Sequence, residues 1–188
     1  MKLFIYDTET TGISLKINDI WQIAGVIEED GKIIDGINLQ FRPNNIESLS
    51  DEILTLSRLT KQEFSNMPDR YESFSKLITF LKKHSTPDDR LTPCGYNIGF
   101  DIGFMQKLFA ENKTSTYNKI FEFHFFDILA LVNSLVITGQ ITPDNIKLET
   151  IARYFGINVD KTKTHDAMYD IKITKKLMDI INSRITFT

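Results

Sequence analysis

The hydrophobic period of the chain changes near residue 50, and that change constrains its fold class more than any other feature. Residues 2–7 are apolar and β-prone and lead into a polar turn, Thr8 to Gly12. Residues 20–28 place Ile20, Trp21, Ile23, Val26 and Ile27 on both faces of a second strand, the pattern of a buried one. Asp30-Gly31 is a hairpin signal, and after it Ile37, Leu39 and Phe41 alternate with Asn38, Gln40 and Arg42 as in a half-exposed antiparallel strand. Helix signals then take over. Ser50-Asp51 opens a short helix, Thr60 with Glu63 has the spacing of a capping box, and residues 70–83 are amphipathic. Strands return at 91–96 and 120–126, helices at 101–111, 147–155 and 165–182, and Asp127 stands where it would cap a further helix. Three strands followed by strands alternating with helices predict an α/β fold, a mixed sheet packed on by helices.

With 188 residues and neither repeat nor low-complexity tract, the chain reads as one globular domain, 1–188. No apolar run approaches the roughly 20 residues needed to span a bilayer, so no membrane association is expected. The opening Met1 to Tyr6 is too short an apolar run for a secretory leader, and a cytoplasmic protein is expected. The single cysteine, Cys94, excludes an internal disulfide and a cysteine-based zinc site; it reads as a small buried strand residue. Net charge is -3, the wrong sign for a protein that grips a long phosphate track. Short-range capture of a strand end stays compatible with it, because bound cations place positive charge where phosphate sits.

Three groups of residues carry candidate chemistry. Asp7 and Glu9 stand two apart at a strand end, so both carboxylates point to one face and repel unless a cation lies between them. Such hard oxygen donors suit magnesium or manganese better than zinc. Taken alone, Asp-x-Glu reads equally as a solvated loop entry. Asp101 follows Gly95-Tyr96-Asn97-Ile98-Gly99-Phe100, where a strand runs into a helix; taken alone, it is an acid favoured at a helix N-terminus. His165 and Asp170 lie at the start of the last helix, whose core face is Met168, Ile171, Met178 and Ile181; a lone histidine there is ordinarily solvated. Asp166 reads as a plain first-turn acid, and small Ala167 permits close approach of a neighbouring element.

The combination and its order are more specific than any one group. Asp7-Thr8-Glu9-Thr10-Thr11-Gly12, then Asn97 with Phe100-Asp101-Ile102-Gly103-Phe104-Met105, then His165 to Asp170, resemble the DEDD exonucleases over almost the whole chain. That family includes proofreading subunits of bacterial replicative polymerases, ribonuclease T and oligoribonuclease. The tyrosine variant carries Tyr four residues before the last acid; that position is Asp166 here, and His165 stands five before, so the resemblance is to the histidine variant. Tyr96 departs from it, since members often have His directly before the Asn of the second motif.

The resemblance implies a ribonuclease H-like, mixed five-stranded sheet flanked by helices. It implies two divalent ions, Mg2+ or Mn2+, held by Asp7, Glu9, Asp101 and Asp170, with His165 taking a proton from the attacking water. Thr10, Thr11, Gly12 and Ile13 are expected to hold the terminal nucleotide, with Ile13 or Leu15 wedged beside the last base. Phe104 either stacks on that base or packs in the core, and Asn97 either bonds near the scissile end or caps its helix. Lys161 and Lys163 either meet phosphates or lie in a solvated loop. The expected partner is nucleic acid with a free 3′ end, single-stranded, with a polymerase partner or a homodimer left open. The Asp101 to Met105 run looks more like the proofreading group, which favours DNA. The motifs also fit an exoribonuclease that trims RNA ends or degrades short oligoribonucleotides, and a catalytically silent binding module would keep the fold alone.

Overall fold

The computed structural model describes residues 1–160 and 166–184. Three long strands, β1 (Lys2–Thr10), β2 (Ile20–Glu29) and β3 (Lys32–Gln40), form an antiparallel meander. The β2–β3 turn is the Asp30-Gly31 pair, both residues at positive φ, as a tight hairpin between right-twisting strands requires. Beyond the meander come α1 (Asp51–Ser57), α2 (Lys61–Ser65) and α3 (Arg70–His84). Ser50 caps α1, the Thr60–Glu63 capping box closes on α2, and Asp69 caps α3. The chain then returns through β4 (Thr92–Gly95), α4 (Ile98–Glu111), α5 (Tyr117–Ile120), β5 (Phe126–Asp127), α6 (Ile128–Ile137), α7 (Leu148–Tyr154) and α8 (Ala167–Arg184). β4 runs parallel to β1 and β5 parallel to β4, so the mixed five-stranded sheet has the order β3-β2-β1-β4-β5. This is the α/β sheet flanked by helices that the sequence predicts.

Both faces of the sheet are covered, which is why β2 reads as apolar on either side. Leu3, Ile5, Ala24 and Val26 pack with Ile128 and Val132 of α6, Ile151 of α7, and Leu177 and Met178 of α8. Phe4, Tyr6, Ile23 and Ile27 pack with Phe74 and Leu77 of α3 and Phe104, Met105 and Leu108 of α4. A smaller cluster of Trp21, Leu49, Phe64 and Met67 fastens α1 and α2 to the end of the meander. The division matters for function, because β1 alternates between the two packed layers up to the point where its side chains become acidic.

Four boundaries differ from the sequence reading. β1 continues through Thr10 rather than turning at Thr8, since β2 pairs with it as far as Thr10↔Ile20. α4 begins at Ile98, three residues before the expected start, which puts Asp101 in its first turn. The strand expected at 120–126 shrinks to Phe126–Asp127. Its composition misleads: Ile120 ends α5, Phe121 makes a single parallel bridge to Leu91, and Phe123 is 99% exposed, so the pairing is interrupted until Phe126. Asp127 nevertheless caps α6 as expected, accepting from Leu129 N at 2.9 Å. Finally, α8 begins at Ala167; Asp166 is its cap, accepting from Tyr169 N at 2.9 Å, rather than a first-turn acid.

Candidate metal centre and adjoining cleft

The alternation of β1 distributes the site. Odd-numbered residues face α8, and the series Leu3, Ile5 continues as Asp7 and Glu9. On α8, small and buried Ala167 lets the helix start close to the strand, and Asp170 follows one turn later. Asp7, Glu9 and Asp170 each offer a carboxylate oxygen within 4.8 Å of the other two. Even-numbered residues face α4, and there Phe4 and Tyr6 are followed by Thr8, which meets Asp101. Asp101 therefore approaches from the opposite layer and stands beside the tight group rather than within it.

Electrostatics show why these acids are unusual. Burial, and then the charges of Asp101, Glu9 and Asp170, push the Asp7 carboxyl well above the ordinary carboxylate range. Burial, reinforced by Asp170, Asp101 and Asp166, pushes Glu9 up to about 8. Burial pushes Asp101 up to about 7, although hydrogen bonds from Thr8 act the other way. The leading influences on Asp7 and Glu9 all disfavour the carboxylate. Oxygen donors this close and this strained by mutual repulsion fit a hard divalent cation, whose charge would reverse the penalty.

Beside the acids lies a cleft of about 400 Å³, lined by Thr8 to Ile13, Trp21, Phe100 and one side of α1, including Ile53, Leu56 and Ser57. Its rim is tied down by hydrogen bonds. Thr10 Oγ1 donates to Gly12 O, Ser14 N to Asn18 Oδ1, and Thr11 N to Asp19 O. Gly12 sits at φ 147°, and a Cβ there would lie 2.7 Å from Asn18 Oδ1, so only glycine closes this turn without displacing Asn18. Asp19 anchors the far end with Lys107 at 3.2 Å, Arg70 at 3.9 Å and the Asn44 N–H. Burial opposes its charge, but Asn44, Arg70 and Lys107 outweigh burial and hold its carboxyl below the ordinary value. The loop so fixed presents Ile13, 87% exposed, at the cleft and Leu15 against Gly103.

The structure sorts several open alternatives. Phe104 is 1% exposed and packs in the core, so it offers no face to a base; the ring lining the cleft is its neighbour Phe100, 4.9 Å away between centroids. Asn97 does not cap α4 with its side chain; it occupies the N-cap position in left-handed geometry with that side chain exposed, and its N–H donates to Asp127 Oδ1 at 2.9 Å. Tyr96 donates its hydroxyl to Ile146 O at 2.5 Å, fastening the second motif to the segment before α7. Cys94 is buried in β4, which pushes its thiol up to about 12 and makes it inert as a nucleophile. His165, Lys161 and Lys163 lie outside the described residues. Sequence reasoning gave no site role to Trp21, Phe100, the α1 wall or the Asp19–Lys107 anchor, and it foresaw the Asp127 cap of α6 but not the bond from Asn97 N. Phe100 alone had a signal, its place directly before Asp101.

A mixed five-stranded sheet with carboxylates gathered where its central strand ends has a ribonuclease H-like architecture, with an acidic centre whose donors fit a divalent cation. The chain belongs to the Exonuclease family, whose family model matches residues 4–178. Similar curated proteins include the PolC-type DNA polymerase III of Bacillus cereus, 25% identical over 184 residues that cover 94% of this chain and 11% of that protein. Ribonuclease T of Escherichia coli K12 is 26% identical over 191 residues, covering 95% of this chain and 83% of that protein. The chain thus spans only a small part of the PolC-type relatives it matches. Exonuclease I of Escherichia coli, solved in complex with a dT13 oligonucleotide, superposes with a TM-score of 0.80 at 18% identity, over 97% of this chain and 41% of that one. At that identity the likeness is one of fold.

Proposed function

We propose that residues 1–188 work as one exonuclease domain that removes 5′-nucleotides from the 3′ end of single-stranded DNA. The observation that carries this reading is the convergence of acids from β1, α4 and α8 beside a walled cleft. Asp7, Glu9, Asp101 and Asp170 would hold two divalent ions, Mg2+ or Mn2+. When bound, these ions supply positive charge for the oxygens of the scissile phosphate. The chain's own groups do the rest. Thr10 to Ile13 and Phe100 hold the terminal nucleotide, Phe100 offering the ring face that Phe104 cannot. Ile13 lies against the last base, and the exposed Asn97 side chain reaches toward the scissile end. His165 takes the proton from the attacking water.

A second reading, trimming of RNA ends, is favoured by one observation: the match to ribonuclease T extends over 83% of that protein, against 11% of the PolC type. Both reactions share the phosphodiester chemistry, and contacts to the 2′-hydroxyl decide between them. Among the described residues no helix is long and apolar enough to cross a membrane; a cytoplasmic setting is part of the proposal. A polymerase partner and a homodimer are alternatives that sedimentation with and without polymerase separates.

The test is digestion of 5′-end-labelled DNA and RNA strands of equal sequence with Mg2+, Mn2+ or chelator. A ladder shortening from the 3′ end and abolished by chelator is expected, faster on DNA. Faster digestion of RNA would select the second reading. Cleavage of neither strand would overturn both and leave a silent binding module.

A further inference from the structure

β1 runs past β4. Their pairing ends at Ile5↔Cys94, so further along β1 the side toward β4 has no strand partner. Thr8 lies in that stretch, and the carboxylate of Asp101 takes the partner's place. The Thr8 N–H donates to Asp101 Oδ1 at 2.9 Å and the Thr8 hydroxyl to the same oxygen at 2.7 Å. Both residues are buried, at 6% and 4% exposure. A carboxylate oxygen accepts about two hydrogen bonds, so Thr8 fills Oδ1, and Asp101 can meet a cation through Oδ2 alone. The other end of the acid's support is also fixed. Asp127 Oδ1 accepts from Asn97 N at the head of α4 and from Leu129 N, both at 2.9 Å, tying the start of that helix to β5.

We infer that Thr8 is a positioning residue of the metal centre: by occupying one oxygen of Asp101 with two donors, it holds the other toward the cation shared with Asp7, Glu9 and Asp170. The inference rests on those four acids being the ligands. Residue chemistry at position 8 narrows the options. A strand residue flanked by acids must favour extended backbone, fit between layers and carry a hydroxyl, and a β-branched threonine does all three with a stiff χ1. Serine keeps the donor and valine keeps the shape, so the two separate the roles.

The experiment compares native chain, Thr8→Val and Thr8→Ser by calorimetric titration with Mn2+, and by kcat and KM on labelled single-stranded DNA. Thr8→Val is expected to bind Mn2+ about 10–100-fold more weakly and to lose kcat in proportion, with KM changed by less than about threefold. Thr8→Ser is expected to stay within about threefold of native in both. Native Mn2+ affinity in Thr8→Val would overturn the inference while leaving the metal site standing. Equal loss in Thr8→Ser and Thr8→Val would overturn it too, by showing that packing rather than the hydroxyl matters. Absence of Mn2+ uptake by the native chain would overturn the ligand assignment itself, and with it the role of Thr8.

Discussion

The acidic centre makes the cation-free protein self-destabilising at neutral pH, and the size of the effect follows from the acids' environments. Glu9 is pushed from an ordinary 4.5 up to about 8, and Asp101 from 3.8 up to about 7. A carboxyl whose value rises on folding is favoured there in its neutral form. Its stabilisation is complete below the unfolded-state value, and is lost as pH climbs through the folded-state one. At about 1.4 kcal/mol per pH unit, ionising Glu9 alone destabilises the empty fold by up to about 5 kcal/mol. Glu9 is half-buried, so water relieves part of its penalty, and Glu9, Asp101 and Asp7 share one another's repulsion, so their contributions do not add; about 3–5 kcal/mol for the group is the working figure. For a chain of this size that is a fall of roughly 6–20 °C in melting temperature between about pH 5 and pH 8.5. Asp19, Asp35, Glu63 and Asp69 are held below their ordinary values and act in the opposite sense. Their stabilisation disappears only on acidification below about pH 4, outside this window. The assay is thermal melting in chelator across that range, repeated with Mn2+. Melting temperature should fall with pH in chelator and recover when Mn2+ is added, and Glu9→Gln should flatten the fall. A flat or rising curve in chelator between pH 5 and 8 would refute the reasoning.

The other expectations separate chemistry from packing. Asp7→Ala and Asp170→Asn should leave activity below about 1% of native with the circular dichroism spectrum unchanged. Phe104→Ala should lower unfolding free energy by about 3–5 kcal/mol, measured in urea, whereas Phe100→Ala should mainly raise KM. Lys107→Met removes a cation from Asp19 and from the Asn18 carbonyl; with Arg70 remaining, it should cost about 1–3 kcal/mol and make the Gly12–Asn18 turn more sensitive to limited proteolysis. The pH profile of kcat is expected to have an acidic limb from protonation of His165, and His165→Ala should abolish that limb.

How much of this was legible depended on whether the signal lay along the chain or across it. The meander was readable because each strand carries its own period and Asp30-Gly31 is a local hairpin code. The helix starts at Ser50, Thr60 and Asp127 were readable because a cap needs only three or four consecutive residues. Where local composition and burial disagree, the sequence misled: residues 120–126 look like one apolar strand, yet packing buries Phe121 and leaves Phe123 in water. The α1 wall of the cleft was invisible, since nothing in Ile53 or Leu56 says that the helix returns to residues 10–13 from forty positions away.

The site itself divides along the same line. Period two placed Asp7 and Glu9 on one face, and the structure adds Asp170 to that face through the close approach that Ala167 permits. Thr8, which the sequence places at the start of a polar turn, instead continues the strand and faces the opposite layer. Only the crossing of α4 over the end of β1 turns that residue into the contact that joins Asp101 to the others. A motif written as Asp-Thr-Glu is therefore two half-motifs interleaved: the acids address α8 and the threonine addresses α4. Reversing the strand's register by one residue would exchange their partners and dismantle the centre, although every residue named in it would still be present.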